Sequence, residues 1–297
     1  MLSADDFVPV TIDDRGFFVD HYAKYPQTHS DNTFTNMLCW NHFAHYRYAA
    51  VNGSVIISST IDGTTRFRPP IGPRDPDLTK ALIRFAYRES DKEPVVLIDP
   101  DTTSWIRELC PALNIVADRD HFEYVYRVKD LAALSGGPYL NIRRQLNRFR
   151  KNCAYCVEPI TAENREEVKY FLIKWCEWKG CENERVLAHE KEAVFYGIDH
   201  FLELGLSGLI IWVDQNIGAI SLYEPFTADT ALVHFEKGLP DCEGIYKAIN
   251  AETASVLLRN FTYLNRESDL GVPGLREAKT RYHPHHMVEV YSIKKTG

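Results

Sequence analysis

The chain has 297 residues, 45% hydrophobic and 25% charged, with a formal net charge of −7. Those values are ordinary for a globular chain of roughly two domains, and the surplus of acid argues against general coating of nucleic acid while leaving room for a local basic site. The longest apolar runs, 209–213 and 217–222, fall far short of the roughly 20 residues that a membrane helix needs. The opening MLSADDFVPV has neither the basic start nor the apolar stretch of a secretion signal. A cytoplasmic location is therefore expected, and with it seven cysteines as free thiols.

In chain order, the first feature is Pro9-Val10-Thr11-Ile12-Asp13-Asp14-Arg15, which returns as Pro159-Ile160-Thr161-Ala162-Glu163-Asn164-Arg165. In both, a β-prone stretch runs into a threonine able to cap a helix whose first turn is acidic. Residues 48–51, Asn52-Gly53 and 55–58 read as strand, tight turn and strand, and 209–213, 214–216 and 217–223 repeat that reading. A helix opens at Leu78-Thr79-Lys80-Ala81-Leu82 and its counterpart at Ile245-Tyr246-Lys247-Ala248-Ile249. Three matches in one order predict a duplicated α/β unit, each half a mixed sheet flanked by helices. Ser135-Gly136-Gly137-Pro138 marks a linker. The expected division is 1–134, a linker and basic helix over 135–152, and 153–297.

The second half is the clearer one. Strands are expected at 156–160, 208–213, 217–223, 230–236 and, briefly, 263–264, with a closing strand at 287–293. Helices are expected at 162–179, with Val168, Phe171, Leu172 and Trp175 on one stripe, at 189–204, and at 245–258, with Ile249, Thr253, Val256 and Leu257 facing inward. A last helix, Pro273–Thr280, begins on proline.

Three segments carry candidate chemistry. Residues 139–151 (YLNIRRQLNRFRK) hold Arg143, Arg144, Arg148, Arg150 and Lys151 and no acid, a local anion site suited to polyphosphate or a tRNA acceptor stem, or else a solvated helix face. The run HFEKGLPDCEG, leading into a helix at Ile245, sits where a glycine-rich nest would cradle a pyrophosphate. It carries Asp241 and Glu243 instead, which repel one. Lys237 at the strand end can stabilise an oxyanion, and Glu236 or Glu224 can bind an amine or take a proton. The third segment, 263–284, is dense in polar residues between a short strand and a short helix. Asn250, Asn265, Arg266, Arg276, Lys279, Tyr282 and His283 join the arginines as candidate substrate-binding residues.

HFEKGLPDCEGIYKAIN, YLNRESDLGVPGLREAKTRYHP and VYRVKDLAALSGGPYLNIRRQLNRFRK closely resemble blocks of the C-terminal domain of phosphatidylglycerol lysyltransferases, from about Asp120 onward. The resemblance implies a tandem fold of the GCN5-related N-acetyltransferase (GNAT) type. It also implies kinship with the peptidyltransferases that build peptidoglycan cross-bridges, which take an aminoacyl group from charged tRNA and not an acyl group from CoA. The multi-helix membrane portion of the full lysyltransferases is missing from this chain, so the acceptor, a lipid head group or another amine or hydroxyl, stays open.

Aminolysis of an activated ester needs no covalent nucleophile, and no G-x-S-x-G, P-loop, G-x-G-x-x-G or H-E-x-x-H is present. The expected activity is aminoacyl transfer from aminoacyl-tRNA, with no cofactor and no metal, and with peripheral membrane contact open. Acyl-CoA-dependent N-acyl transfer and a non-catalytic binding module are the competing readings. Cys153-x-x-Cys156, Cys176-x4-Cys181 and His283-Pro284-His285-His286 lack convincing metal-ligand spacing and are set aside.

Overall fold

The computed structural model describes residues 2–295. Among them, fourteen strands form two seven-stranded sheets. The first sheet contains β1 (Val8–Pro9), β2 (Arg47–Val51), β3 (Ser54–Ile61), β4 (Thr64–Phe67), β5 (Val95–Ile98) and β6 (Ile115–Ala117). The second contains β7 (Glu123–Arg127), β8 (Tyr155–Pro159), β9 (Ser207–Val213), β10 (Asn216–Pro225), β11 (Thr230–Gly238), β12 (Tyr263–Ser268) and β13 (His286–Val288). The closing strand β14 (Tyr291–Ile293) returns to the first sheet between β5 and β6.

The duplication is plain in the strand orders, β1-β2-β3-β4-β5-β14-β6 and β8-β9-β10-β11-β12-β7-β13. In each sheet the first four strands are antiparallel neighbours and the fourth pairs in parallel with the fifth. The sixth place in each is filled by a strand from elsewhere in the chain. Two compact units result. One gathers the chain through Phe122 with Ser268–Val272 and the segment from Val288; the other is Glu123–Glu267 with Pro273–Met287. This division falls at 122/123 where the sequence suggested 134/135, because β7 is a strand of the second sheet and the helix Val128–Ala133 packs beside Ile245–Leu257.

Local chemistry explains the elements. Asp75 accepts from the backbone N–H groups of Asp77 and Leu78, Pro76 starts the helix Pro76–Glu89, and Leu78, Leu82, Ile83, Phe85 and Ala86 form its buried stripe. The echo seen in sequence is a shared start motif. Thr11 donates its N–H to Asp14, and Thr161 donates its own to Asn164 (both 2.8 Å). The helix Leu140–Asn152 buries Ile142, Leu146 and Phe149 at i, i+4 and i+7. These join Val233, Ile249 and Leu257 in the core of the second unit.

The structure corrects several expectations. Cys153 is bonded to Cys242 and Cys176 to Cys181, and Cys39, Cys110 and Cys156 stand outside any disulfide. The fold carries Cys242 back onto the C-cap of the basic helix, which sequence spacing could not show. The expected helix 189–204 is two, Arg185–Asp199 and Phe201–Leu204, and the expected closing strand is split between the two sheets. Val256 is exposed, whereas Ile249, Thr253 and Leu257 are buried.

Candidate active site

In the second sheet β11 and β12 pair over only three residues, from Thr230↔Tyr263 to Leu232↔Asn265, and then part. A bulge lies at the parting. Against β10, Val233 opposes Tyr223 and Phe235 opposes Leu222, so His234 is the extra residue. A bulge re-aims the side chains around it. Glu236 meets Asn250 on the helix Ile245–Leu257, while Lys237 meets Trp175 and Glu190 on the helices Arg165–Lys179 and Arg185–Asp199.

The parted strands hold a buried polar cluster. His234 Nε2 lies 2.9 Å from Glu224 and its Nδ1 3.1 Å from Glu267. Burial alone would drive the imidazole toward neutrality, but the two carboxylates outweigh it and lift its pKa to about 10. It is an imidazolium donating from both nitrogens. Arg266 donates to Glu236, and its guanidinium sits 5.1 Å from the Tyr282 ring and 5.9 Å from that of Tyr126. Lys279 donates to the backbone carbonyls of Arg266 and Glu267. Burial, then the Arg266 charge, lowers its pKa to about 8. An amine so tuned exchanges its proton close to neutrality.

Lys237 is 6% exposed. Its ammonium lies 2.5 Å from Glu190 and 4.4 Å from the centre of the Trp175 ring. Trp175 in turn donates to the Tyr246 hydroxyl at 3.2 Å. Lys237 is thus a desolvated cation held between an acid and an aromatic face.

The other candidates scatter. Asn250 accepts at its side-chain oxygen from Arg266 (3.1 Å to Nη1 and 3.3 Å to Nε), and Asn265 donates to Glu123 (2.7 Å). Tyr282 is buried and accepts at its carbonyl from Tyr139; His283 is exposed, edge-on to the Tyr139 ring. Arg276 is half-buried on the helix Pro273–Thr280. The basic helix is largely occupied. Arg143 caps the carbonyls of Leu134 and Gly136, Arg148 pairs with Glu243 and Arg150 with Glu252, while Arg144 and Lys151 are exposed. Sequence reasoning missed His234, Glu267, Glu190 and Trp175. The alternation of His234 and Glu236 was a legible signal, but their partners lie on other elements.

A cleft of about 700 Å³ opens beside the loop at 239–242, against the helix Arg165–Lys179 and the β9–β10 turn. Glu166, Glu167, Asp214 and Asp241 line it with Lys174 and Trp212. Gly244 ends that loop at φ +93°, where an added Cβ would meet the Gln145 carbonyl at 2.5 Å. With acid on the rim and its last residue packed on a neighbouring helix, this loop makes a poor cradle for a pyrophosphate. Among the described residues, no cluster of three or more His, Cys, Asp or Glu side chains has the makings of a metal site, and no helix is long and apolar enough to cross a membrane.

No match is found among curated proteins. Solved structures share the fold. A conserved protein of unknown function from Bacteroides thetaiotaomicron is 27% identical with a TM-score of 0.89, over 98% of this chain and 99% of that one. L-PGS from Bacillus licheniformis is 14% identical with a TM-score of 0.64, over 96% and 93%. FemX is 9% identical with a TM-score of 0.57, over 97% of each chain. The two mixed sheets are the tandem GNAT-like fold that the sequence suggested. A family model described as the C-terminal part of phosphatidylglycerol lysyltransferase matches residues 22–294, and the chain belongs to that family.

Proposed function

We propose that the second unit transfers an aminoacyl group from aminoacyl-tRNA to an amine or hydroxyl acceptor. The observation that carries this reading is the desolvated cation Lys237, one residue past the salt-bridged Glu236, at the mouth of a loop too acidic for a nucleotide pyrophosphate. Family membership and the shared fold with FemX support the same class of chemistry. Glu236, Lys237 and Lys279 do not line the neighbouring cleft, whose acids favour a positively charged group there, such as the ammonium of an amine acceptor.

An aminoacyl ester is already activated, so its transfer rests on positioning, oxyanion stabilisation and a route for one proton. The acceptor's nitrogen or oxygen bonds to the carbonyl carbon, and the bond from that carbon to the ribose oxygen breaks. Lys237 faces the negative charge that builds on the carbonyl oxygen. Lys279, when neutral, takes the acceptor's proton, which passes to the departing ribose oxygen. The Glu236–Arg266 pair and the imidazolium of His234 hold the two parted strands in place, and with them Lys237 on β11, while Lys279, on the helix Pro273–Thr280, is tied to β12 through the carbonyls of Arg266 and Glu267.

The test is incubation of the protein with charged tRNA bearing labelled amino acids, a cell extract as the source of acceptors, and mass spectrometry of the products. Label retained on tRNA under every condition would sink the reading. Lys237→Ala is expected to slow single-turnover transfer at least about tenfold, and wild-type rates would remove Lys237 from the chemistry. Calorimetric titration with coenzyme A is expected to give no saturable heat.

A further inference from the structure

The first unit buries a guanidinium without an acid. Arg68 follows directly on β4, whose single parallel pair with β5 is Phe67↔Val95, so it stands where those strands part. Its backbone N–H is spent on the carbonyl of Ile57, which fixes it beside β3. The residue is 4% exposed. Its Nη1 donates to Ser59 Oγ at 2.9 Å, and its guanidinium carbon lies 5.7 Å from the centre of the Tyr46 ring. Its Nε is buried with no hydrogen-bond partner. No carboxylate lies within ion-pairing distance of Arg68 among the described residues. The nearby His121 imidazole pairs with Asp118 at 3.0 Å and also senses Asp31. Asp118 accepts from Ser292 as well, so it is committed elsewhere. The phenol of Tyr22, which also feels the Arg68 charge, donates to the carbonyl of Asn32 at 2.6 Å.

Removing a charge from water costs several kcal/mol unless it is paired and hydrogen-bonded, and a ring face with one hydroxyl supplies only part of that. The guanidinium is a planar fork whose parallel N–H groups match a carboxylate or a phosphate. Ser59 and Tyr46 fix the plane of the fork, and the unpartnered Nε marks one tine.

We propose that Arg68 is the anchor of an oxyanion-binding site in the first unit, with Ser59 as its hydroxyl partner and a carboxylate or phosphate group as its ligand. The site is independent of the transfer chemistry assigned to the second unit, so it stands or falls apart from that reading.

The experiment uses the full chain labelled with ¹⁵N. The Arg68 Nε–H resonance is followed while sodium phosphate or sodium acetate is added at constant ionic strength, with sodium chloride as control. Saturable movement with phosphate or acetate, and none with chloride, is expected, and the two arms tell which oxyanion fits. The same anion should raise the melting temperature by roughly 3 °C at a tenfold excess over its Kd. Arg68→Met, which keeps the stem and removes the charge, should abolish that rise. Ser59→Ala, which leaves the guanidinium in place, should weaken binding several-fold if the methionine variant fails to fold. An Nε–H resonance unmoved by either oxyanion overturns the proposal. So does a thermal gain that survives in Arg68→Met.

Discussion

Each unit buries a guanidinium where its fourth and fifth strands part, at the end of the fourth strand in the first unit and on the fifth strand in the second, and the two treat it in opposite ways. In the second, Arg266 lies against the rings of Tyr126 and Tyr282 with Glu236 as its counter-charge. In the first, Arg68 has one ring, one hydroxyl and a buried Nε with no partner. A neutralised cluster can stiffen the parted strands and set the pKa values of its neighbours, as Arg266 does for Lys279. A guanidinium left uncompensated does something else, because the counter-charge has to arrive from outside. One duplicated fold thus yields a self-contained charged scaffold and a charge that waits for a ligand.

The most direct test makes the second unit resemble the first. Glu236→Ala leaves Arg266 buried without its acid and is expected to cost about 3–5 kcal/mol in denaturant unfolding, the typical penalty for breaking one side of a buried pair. Adding Arg266→Met to the same chain should recover most of that loss, since the stranded charge is gone. A double variant no better than Glu236→Ala would show that the pair matters through geometry and not through charge.

At His234 the balance runs two acids to one base. His234→Ala sets Glu224 and Glu267 facing one another across a buried gap and should cost about 3 kcal/mol or more near neutral pH. The native imidazole has its pKa raised from 6.5 to about 10. Its stabilisation is therefore complete below about pH 6.5, declines above that, and is lost as the pH passes about 10. The stability gap between wild type and His234→Gln should shrink along that interval. A gap constant from pH 6 to 10 would mean that the histidine is neutral in the fold.

Cysteine accounting tests the covalent frame of the second unit. Denatured without reductant, the chain should titrate three thiols, Cys39, Cys110 and Cys156. Reduction should then lower stability by about 2–4 kcal/mol, mainly through Cys153–Cys242, which closes a loop of 89 residues. Seven reactive thiols before any reductant is added would show that both bonds are absent in solution.

These features differ in how far they could be read in advance. The duplicated start motif was legible because it is local: Thr11 with Asp14 and Thr161 with Asn164 are three residues apart. The helix Pro273–Thr280 was bounded correctly because proline at its start is a local signal too. Glu236 and Lys237 stood out as charges at the end of a strand. Their partners did not, because Glu190 lies on a preceding helix and Arg266 on the following strand, beyond a helix. The bulge at His234 was invisible for a further reason. A bulge is a property of two strands in register, and one strand's sequence does not contain it. Nothing in the sequence around Arg68 points to its burial, which only the fold reveals.

Lys279 gives the smallest expected effect and the most specific one. Its pKa is lowered from 10.5 to about 8, so the native state releases the proton before the unfolded chain does. Below about pH 8 both states hold it and the cost of burying the ammonium is felt in full. Between about 8 and 10.5 the unfolded chain binds more protons, so this residue's contribution to stability improves as the pH rises. Lys279→Met should therefore gain on wild type at pH 7 relative to pH 10. The methionine cannot donate to the carbonyls of Arg266 and Glu267, and that loss subtracts nearly equally at every pH. The slope of the difference with pH is thus the diagnostic quantity. Under the proposed chemistry, transfer by the wild type should climb through about pH 8 and level off above it, and the methionine variant should lose that limb. A transfer rate flat across pH 8 in wild type would leave Lys279 as a strap across two carbonyls and nothing more.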